Sequence, residues 1–301
     1  MPERISTYAH DGLIFDVLDA GPLDGPPVVL LHGFPERASH WDAVAARLHD
    51  GGFRTLAPDQ RGYSPGARPR SRTAYRLGRL VGDIRALAAE VGGPVHVVGH
   101  DWGAVVAWSL ADRHPQVVRT LTTVSVPHPT AFARSLLTSS QALRSSYVLL
   151  AQPPGLVEAA ARFTPGLVST LLRGAGLDEE DLERFHTEIV EYGALPGALG
   201  WYRALPWDVG RPTGRVQVPT THVWSDGDQA LARRGAELTA EYVEGPYELR
   251  VLEGVSHWIP LKAPELLAGA VLERLNGPGG GPGLSGPDAS GRSASAVTPP
   301  G

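Results

Sequence analysis

The sequence predicts an α/β fold, in which a mostly parallel sheet has helices on both faces and an all-helical cap is inserted. Three observations predict it. Apolar runs such as residues 28–31 are typical of parallel strands buried on both faces. Segments of helical period, above all residues 73–91, separate these runs. From about residue 129 to about 207 helical segments follow one another without a strand, and strands then resume at residues 221–224.

The first hundred residues alternate between strand and helix patterns. Residues 4–9 and 13–18 alternate apolar and polar side chains around Asp11-Gly12, which predicts an antiparallel hairpin. Strands are expected at residues 28–31 and 55–58, with a helix between them for which Ser39 and Asp42 are the expected capping pair. The helix at residues 73–91 ends at Gly92-Gly93, and a further strand leads up to Asp101.

The rest of the chain divides into three parts. Residues 121–124 supply the next strand, and the clearest helix of the strand-free stretch begins at Asp178. Strands at residues 221–224 and 247–251 precede a final helix that ends at about Asn276. We therefore expect an α/β core at residues 1–128 and 208–276, and a helical cap at residues 129–207. Residues 277–301, rich in glycine and proline, are expected to form a disordered tail without chemistry.

Composition and charge argue against several functions. The 301 residues carry a net charge of −5 and no basic run, which argues against a nucleic-acid partner. No apolar stretch has the length of a signal peptide or a bilayer span, so we expect a cytoplasmic protein with no membrane partner. Without cysteine there is no thiolate catalysis, and the histidines form no close ligand pair, so no metal or cofactor is expected. Whether the chain forms a homodimer stays open.

The stretch Gly99-His100-Asp101-Trp102-Gly103 follows a buried strand and opens a helix. Its spacing, Gly-x-Asp-x-Gly, matches the nucleophile elbow with aspartate where serine is usual. The two glycines relieve crowding around a residue held in a tight turn. Two interpretations of Asp101 stay open at this point: a carboxylate nucleophile, or an ordinary N-cap of the helix from Trp102 to Arg113.

Five motifs resemble those of the α/β-hydrolase-fold epoxide hydrolases, and the similarity covers roughly residues 4–275. They are Gly99-His100-Asp101-Trp102-Gly103, His32-Gly33-Phe34-Pro35-Glu36, Asp59-Gln60-Arg61-Gly62-Tyr63-Ser64, Trp224-Ser225-Asp226-Gly227-Asp228 and Gly254-Val255-Ser256-His257-Trp258. The resemblance implies an α/β-hydrolase fold, an aspartate nucleophile and a helical cap. The enzyme would convert an epoxide and water to a vicinal diol.

The cap distinguishes this family from its relatives. The first two motifs also resemble those of haloalkane and fluoroacetate dehalogenases, which use an aspartate nucleophile as well. Residues 146–155 and 199–203, however, are similar to the stretches that place two tyrosines above the nucleophile in epoxide hydrolases. Phe34 stands where haloalkane dehalogenases commonly place a halide-binding asparagine. A dehalogenase is therefore the second hypothesis, and a catalytically inactive hydrolase-like binding protein is the third.

The resemblance and the chemistry together assign the expected roles. Asp101 attacks the epoxide carbon, while Tyr147 and Tyr202 donate a proton to the departing oxygen, because a phenol stays protonated at neutral pH. His257 then activates the water that cleaves the ester. Asp228 is expected to orient His257, with Asp226 as the alternative.

Further residues are expected to complete the site. The backbone N–H groups of Phe34 and Trp102 would form the oxyanion hole, in a loop that a cis Phe34-Pro35 bond would hold. Phe34, Trp102 and Trp201 are expected to contact the substrate. The remaining expectations concern structural support: His32 and His100 brace loops, Glu36 supports the site from behind, and Asp59 and Arg61 form an ion pair or loop hydrogen bonds.

Overall fold

A computed structural model describes residues 3–208 and 210–277, and its centre is one eight-stranded sheet. The strands are β1 (Thr7–His10), β2 (Leu13–Ala20), β3 (Pro27–Leu31), β4 (Arg54–Pro58), β5 (Val95–His100), β6 (Val118–Val124), β7 (Thr220–Ser225) and β8 (Tyr247–Leu252). Their order is β1-β2-β4-β3-β5-β6-β7-β8. β1 and β2 form the expected hairpin, and β2 runs antiparallel to β4, whereas the pairs from β4 to β8 are parallel.

The two faces of the sheet carry separate hydrophobic cores. Helices α1 (Asp42–Asp50) and α13 (Pro264–Asn276) cover one face, and α2 (Leu77–Val91) and α3 (Trp102–Arg113) cover the other. Successive residues of β3 serve the two cores in turn: Val28 and Leu30 belong to the first, Val29 and Leu31 to the second. Burial on both faces explains why this strand is an unbroken apolar run, as the sequence predicts.

Two details of the first hundred residues differ from expectation. The expected capping pair of α1 is wrong, because Trp41 precedes the helix and no side chain caps it. Ser39 instead donates a hydrogen bond to Glu188. The helix expected at residues 73–91 begins at Leu77, after a 3-10 turn at Arg72–Tyr75. It ends as expected at Gly92, whose φ of 87° is the left-handed conformation that favours glycine.

Residues 129–207, here named the helical insert, contain helices and no strand among the described residues. The helices are α4 (Pro129–Thr138), α5 (Gln141–Arg144), α6 (Val148–Ala151), α7 (Leu156–Phe163), α8 (Pro165–Gly174), α9 (Glu179–Arg184) and α10 (Leu195–Ala204). Asp178 begins α9 in a reciprocal capping box with Asp181, and a π-helical stretch at Phe185–Glu191 follows. The second part of the chain adds α11 (Arg233–Thr239) and α12 (Ile259–Lys262).

The helical insert is fastened to the loop after β4 through α10. The indole N–H of Trp201 donates a 2.6 Å hydrogen bond to the carbonyl of Arg61. Beside it, Gly62 and Gly197 approach so closely that a Cβ on either would overlap the backbone of the other. The expected tail lies outside the described residues, apart from Gly277. No described helix combines the length and the apolar character needed to cross a bilayer.

Candidate active site

Asp101 occupies the sharp turn between β5 and α3, at the carboxyl edge of the sheet. Its φ of 49° and ψ of −120° are unusual for a residue with a side chain and mark local backbone strain. A Cβ at Gly99 would overlap the carbonyl of Gly103, and one at Gly103 would overlap the carbonyl of Leu31. Both glycines of the motif are therefore required by the close approach of three backbone segments.

The side chain of Asp101 does not cap α3, so the alternative interpretation as an ordinary N-cap is wrong. Its Oδ1 instead accepts a 2.8 Å hydrogen bond from the backbone N–H of Phe34, across the turn after β3. The Phe34-Pro35 peptide bond in that turn is cis, as expected. Asp101 is 7% exposed, and its carboxylate borders a large cavity.

His257 lies between two carboxylates, in the segment between β8 and α12. Its Nδ1–H donates a 2.8 Å hydrogen bond to Oδ2 of Asp228, and its Nε2 lies 3.7 Å from Oδ2 of Asp101. Burial alone lowers the pKa of His257, but Asp228 first and Asp101 second outweigh burial and raise this pKa to about 10. The imidazolium form is therefore favoured while Asp101 is ionised.

The structure brings Asp228, and not Asp226, to His257. Asp228 is 2% exposed, and its Oδ1 accepts hydrogen bonds from the backbone N–H groups of Ala230 at 2.7 Å and Leu231 at 2.8 Å. These bonds leave Oδ2 directed at the imidazole. Asp226 is exposed, and its carboxylate accepts a 2.6 Å hydrogen bond from the backbone N–H of Gly254. Asp226 therefore stabilises the neighbouring loop rather than the histidine.

Two donors fix the backbone of His257, and one of them is a residue that the sequence argument missed. The carbonyl of His257 accepts hydrogen bonds from Oγ of Ser125 at 2.9 Å and from Nε2 of His100 at 3.0 Å. Ser125 directly follows β6 and has a φ of 65°. Its position at the carboxyl end of the strand next to β5 is the signal that could have identified it, because ligand-binding residues gather at that edge.

Glu36 and His40 form a buried polar cluster with His100. Nδ1 of His100 lies 3.2 Å from Oε2 of Glu36, and Nδ1 of His40 lies 2.6 Å from Oε1. Burial opposes ionisation of Glu36, but His40 and His100 outweigh burial and hold the pKa of this carboxyl below its ordinary value. These three residues offer possible metal ligands within 4.8 Å of one another, and one carboxylate oxygen, Oε2, already forms a hydrogen bond with His100. The geometry is that of a polar support, as expected for Glu36.

Tyr147 and Tyr202 lie together on the wall of the cavity that Asp101 borders. Their ring centroids are 6.2 Å apart, and the ring of Tyr202 packs edge to face on Trp102 at 5.1 Å and on Phe34 at 5.3 Å. Burial raises the pKa of Tyr202 well above its ordinary value, and the neighbouring Tyr147 and Asp101 raise it further. The phenol therefore keeps its proton at neutral pH. Tyr147 is 43% exposed and opens onto the same cavity.

The cavity measures about 950 Å³ and is lined mainly by apolar side chains. Trp102 lies on its wall, as expected. The expected contact of Trp201 with substrate is wrong, because this side chain is 1% exposed and packs behind Trp102 at 5.9 Å. The ring of Phe34 lies against Tyr202 and is absent from the residues that line the cavity in the described part of the chain.

Asp59 and Arg61 stabilise the loop after β4, as expected, but they do so through partners that the sequence did not indicate. Asp59 pairs with Arg37 at 2.5 Å, and Arg61 pairs with Asp83 at 2.7 Å, so the two residues do not pair with each other. Burial lowers the pKa of His32 to about 4, which keeps its ring neutral. Nε2 of this neutral ring accepts a 3.1 Å hydrogen bond from the backbone N–H of Gln60.

Comparison with known proteins shows the family to which this chain is similar. A family model described as the α/β-hydrolase fold matches residues 26–264. The AB hydrolase superfamily protein YfhM of Bacillus subtilis (strain 168) is 34% identical, over 88% of this chain and 95% of its own length. Epoxide hydrolase A of Mycobacterium tuberculosis is 31% identical, over 89% of this chain and 95% of its own length. The crystal structure of epoxide hydrolase A from Mycobacterium thermoresistibile superimposes with a TM-score of 0.77 at 26% identity, covering 90% of this chain and 97% of that one.

The fold and the buried Asp-His-Asp arrangement thus define an enzyme of the α/β-hydrolase class. Within that class, the chain belongs to the α/β-hydrolase-fold epoxide hydrolase family.

Proposed function

We propose that this enzyme hydrolyses an epoxide to a vicinal diol with water and without a cofactor, through a covalent ester on Asp101. One observation carries the proposal: Asp101 and the two tyrosines, Tyr147 and Tyr202, border the same apolar cavity, and His257 lies beside Asp101. An epoxide opens readily when a nucleophile reaches carbon while an acid protonates the departing oxygen. In this proposal the helical insert, residues 129–207, is the cap that carries both acids above the core formed by residues 1–128 and 208–276.

In the first step, Oδ2 of Asp101 forms a bond to an epoxide carbon and the carbon–oxygen bond of the ring breaks. Tyr202, together with Tyr147, holds the departing oxygen and transfers a proton to it, which leaves a phenolate. Two phenols that hold the same oxygen before its charge develops would need little reorganisation during ring opening. The raised pKa of Tyr202 supports a role as acid, because the phenol is protonated before each turnover.

In the second step, the imidazolium of His257 first releases its proton to solvent, because esterification has removed the charge of Asp101. The neutral ring then takes a proton from water, and the hydroxide adds to the carbonyl carbon of the ester. The N–H of Phe34 already donates to Oδ1 of Asp101 at 2.8 Å, so it is placed to stabilise the negative charge that develops on this oxygen. We assign the second donor of this oxyanion hole to the N–H of Trp102. Collapse of the intermediate releases the diol, which takes the proton from His257, and the proton left on Asp101 restores the phenol.

The experiment that tests this proposal measures the intact mass of the full chain after exposure to epoxide. His257→Gln should allow ring opening but block ester hydrolysis, so the covalent intermediate should accumulate. The mass should rise by that of the whole epoxide, because ring opening expels nothing. Peptide mapping should place the adduct on Asp101, and Asp101→Ala in the same background should abolish it.

Two other outcomes would identify the alternatives. A haloalkane that adds its mass less hydrogen halide, with no adduct from epoxides, would indicate a dehalogenase. Saturable binding with no covalent increment and no turnover would indicate a catalytically inactive binding protein. If the parent enzyme turns over epoxide but His257→Gln never gains mass, direct attack by water activated at His257 replaces the covalent mechanism.

A further inference from the structure

Tyr147 lies between two helices of four residues each, α5 and α6. Its side chain is 43% exposed, whereas Tyr202 is buried within the longer helix α10. A helix of one turn is not stable by itself, because its few hydrogen bonds do not offset the cost of ordering the backbone. The place of Tyr147 on the cavity wall therefore depends on contacts between its segment and the rest of the protein.

Gln141, the first residue of α5, makes one set of these contacts. Its side chain is fully buried. Oε1 accepts a 2.7 Å hydrogen bond from the backbone N–H of Ala232, and Nε2 donates to the carbonyl of Ala230 at 2.8 Å and to Oγ of Ser145 at 2.9 Å. Loss of this amide would leave buried backbone groups without partners, which is costly. Gln141 therefore attaches α5 to residues 230–232.

The turn that Gln141 holds is the one that orients Asp228. The N–H groups of Ala230 and Leu231 donate to Oδ1 of Asp228 and leave Oδ2 for the imidazole. Gln141 holds the carbonyl of the same Ala230. Nη1 of Arg144, also in α5, donates a 2.7 Å hydrogen bond to the carbonyl of Asp228. The helix that precedes Tyr147 in the chain thus stabilises the backbone around this carboxylate.

Gln152, directly after α6, attaches the other end of the segment. Its Nε2 donates a 2.9 Å hydrogen bond to the carbonyl of Tyr202. Beside it, Nε of the buried Arg203 donates a 3.0 Å hydrogen bond to the carbonyl of Ala151. We name residues 141–152 the Tyr147 segment. One end of this segment is attached to the loop of Asp228, and the other end is attached to α10 beside Tyr202.

We propose that Gln141 and Gln152 are positioning residues that hold the catalytic groups of the cap and the core in one geometry. Gln141 connects Tyr147 with the loop of Asp228. Gln152 connects Tyr147 with Tyr202. Displacement of a reacting group by about 1 Å can cost about 10²-fold in rate, so these connections matter for turnover. The inference rests on the proposed function for the roles of these side chains, whereas the two attachments do not depend on the reaction.

Single-turnover measurements separate the two positions. Methionine matches glutamine in length and forms neither of its amide hydrogen bonds. Gln141→Met should slow alkylation, which needs the tyrosines, and also ester hydrolysis, which needs Asp228, each by at least about tenfold. Gln152→Met should slow alkylation by the same order and leave ester hydrolysis at the parental rate, because its contacts lie on the side of Tyr202.

The pH profile of ester hydrolysis distinguishes displacement of Asp228 from a general loss of stability. With Asp101 esterified, Asp228 and His100 are the titratable groups of the described residues that face His257, and the His100 ring centroid lies 5.0 Å away. Asp228 raises the pKa of His257, so its displacement should lower this pKa and move the rise of the rate to lower pH. The substitution at position 141 should cause this change, and the one at position 152 should not.

Hydrogen exchange of the full chain without substrate tests the attachments independently of the reaction. Gln141→Met should speed exchange of the amides of residues 228–232, whereas Gln152→Met should leave them at parental rates. Should Gln141→Met fail to fold, Arg144→Met removes only an exposed donor to the same loop and should cause smaller changes of the same kind. Arg162→Met is the matched control, because this exposed guanidinium lies over the ring of Phe163.

The outcomes separate failure of this inference from failure of the proposed function. Parental rates of both steps in both glutamine variants would overturn the inference, as would parental exchange of residues 228–232 in Gln141→Met. Equal slowing of both steps by Gln141→Met and Gln152→Met would also overturn it, because the two positions would then have no separate roles. A parent that forms no ester with any epoxide would overturn the proposed function, and exchange alone would then decide whether the attachments exist.

Discussion

Nε2 of His257 lies 3.7 Å from Oδ2 of Asp101. In the resting enzyme this carboxylate is one of two that raise the pKa of the imidazole to about 10. Ester formation on Asp101 would remove its negative charge and one of the two raising influences. The pKa of His257 should therefore fall when the intermediate forms, which favours the neutral base at the step that needs it.

The stability of the fold should report the protonation of His257. Because the folded-state pKa is raised from 6.5 to about 10, the stabilisation by the charged ring is fully present below about pH 6.5 and is lost as the pH rises through 10. Urea unfolding between these pH values should show the advantage of the parent over His257→Gln shrinking as the pH rises. A constant difference would mean that His257 is neutral in the folded enzyme.

The two tyrosines should control the rate of ring opening. Removal of one well-placed donor costs about 10²–10³ in rate, so Tyr202→Phe should slow alkylation of Asp101 by that order, and Tyr147→Phe/Tyr202→Phe should nearly abolish it. Rapid-mixing measurement of alkylation in single turnovers provides the test. Tyr192→Phe is the control, since Tyr192 packs on Arg37 outside the cavity. Parental rates in the double variant would show that another group is the acid.

Substitutions at Asp228 and at Asp226 can be compared to separate an effect on catalysis from an effect on the loop alone. Asp228→Asn removes the charge beside Nδ1 of His257, and loss of such a carboxylate reduces turnover by about 10⁴ in the comparable serine-protease triad. Asp226→Asn keeps an oxygen for the N–H of Gly254 and should change turnover little. Single-turnover hydrolysis of the ester separates the two variants. The reverse ranking would transfer the orienting role to Asp226.

The contact between Gly62 and Gly197 should tolerate no side chain. A Cβ at Gly197 would overlap the carbonyl of Gly62, so Gly197→Ala should lower the free energy of unfolding by about 1–3 kcal/mol. Gly166→Ala in α8 is the matched control, because nothing lies within 4 Å of its Cβ and alanine favours a helix by up to about 1 kcal/mol. Equal stability of both variants in urea would show that the insert can shift at no cost.

Local patterns explain why much of the fold could be predicted. One residue separates Asp101 from the glycine on either side, so this short motif by itself predicts the strained turn. The parallel strands could also be predicted, since burial on both faces of the sheet gives each of them an unbroken apolar run. The catalytic roles of Asp101, His257 and the tyrosines stay predictions, although the structure brings these side chains to one place.

Partners that depend on packing between distant segments could not be predicted. Arg61 pairs with Asp83 rather than Asp59, because α2 brings Asp83 beneath the loop after β4. Trp201 faces Arg61 and not the cavity, and nothing in its neighbours along the chain fixes that direction. Ser125 reaches His257 across 132 positions of sequence. Each of these contacts is set by tertiary structure: the sequence could place Ser125 at the carboxyl end of a strand, but it carries no pattern that names the partner of any of the three residues.

Tyr202 belongs to α10, whose residues from Gly197 to Ala204 are all buried, and Asp101 belongs to the turn after the fully buried β5. Neither element has a solvent-facing side from which it could unfold alone. Amide hydrogens of α10 should therefore exchange with solvent as slowly as those of the central strand, through global unfolding. Nucleophile and acid would then be lost in one cooperative event, so residual activity in denaturant should follow the fraction of folded molecules.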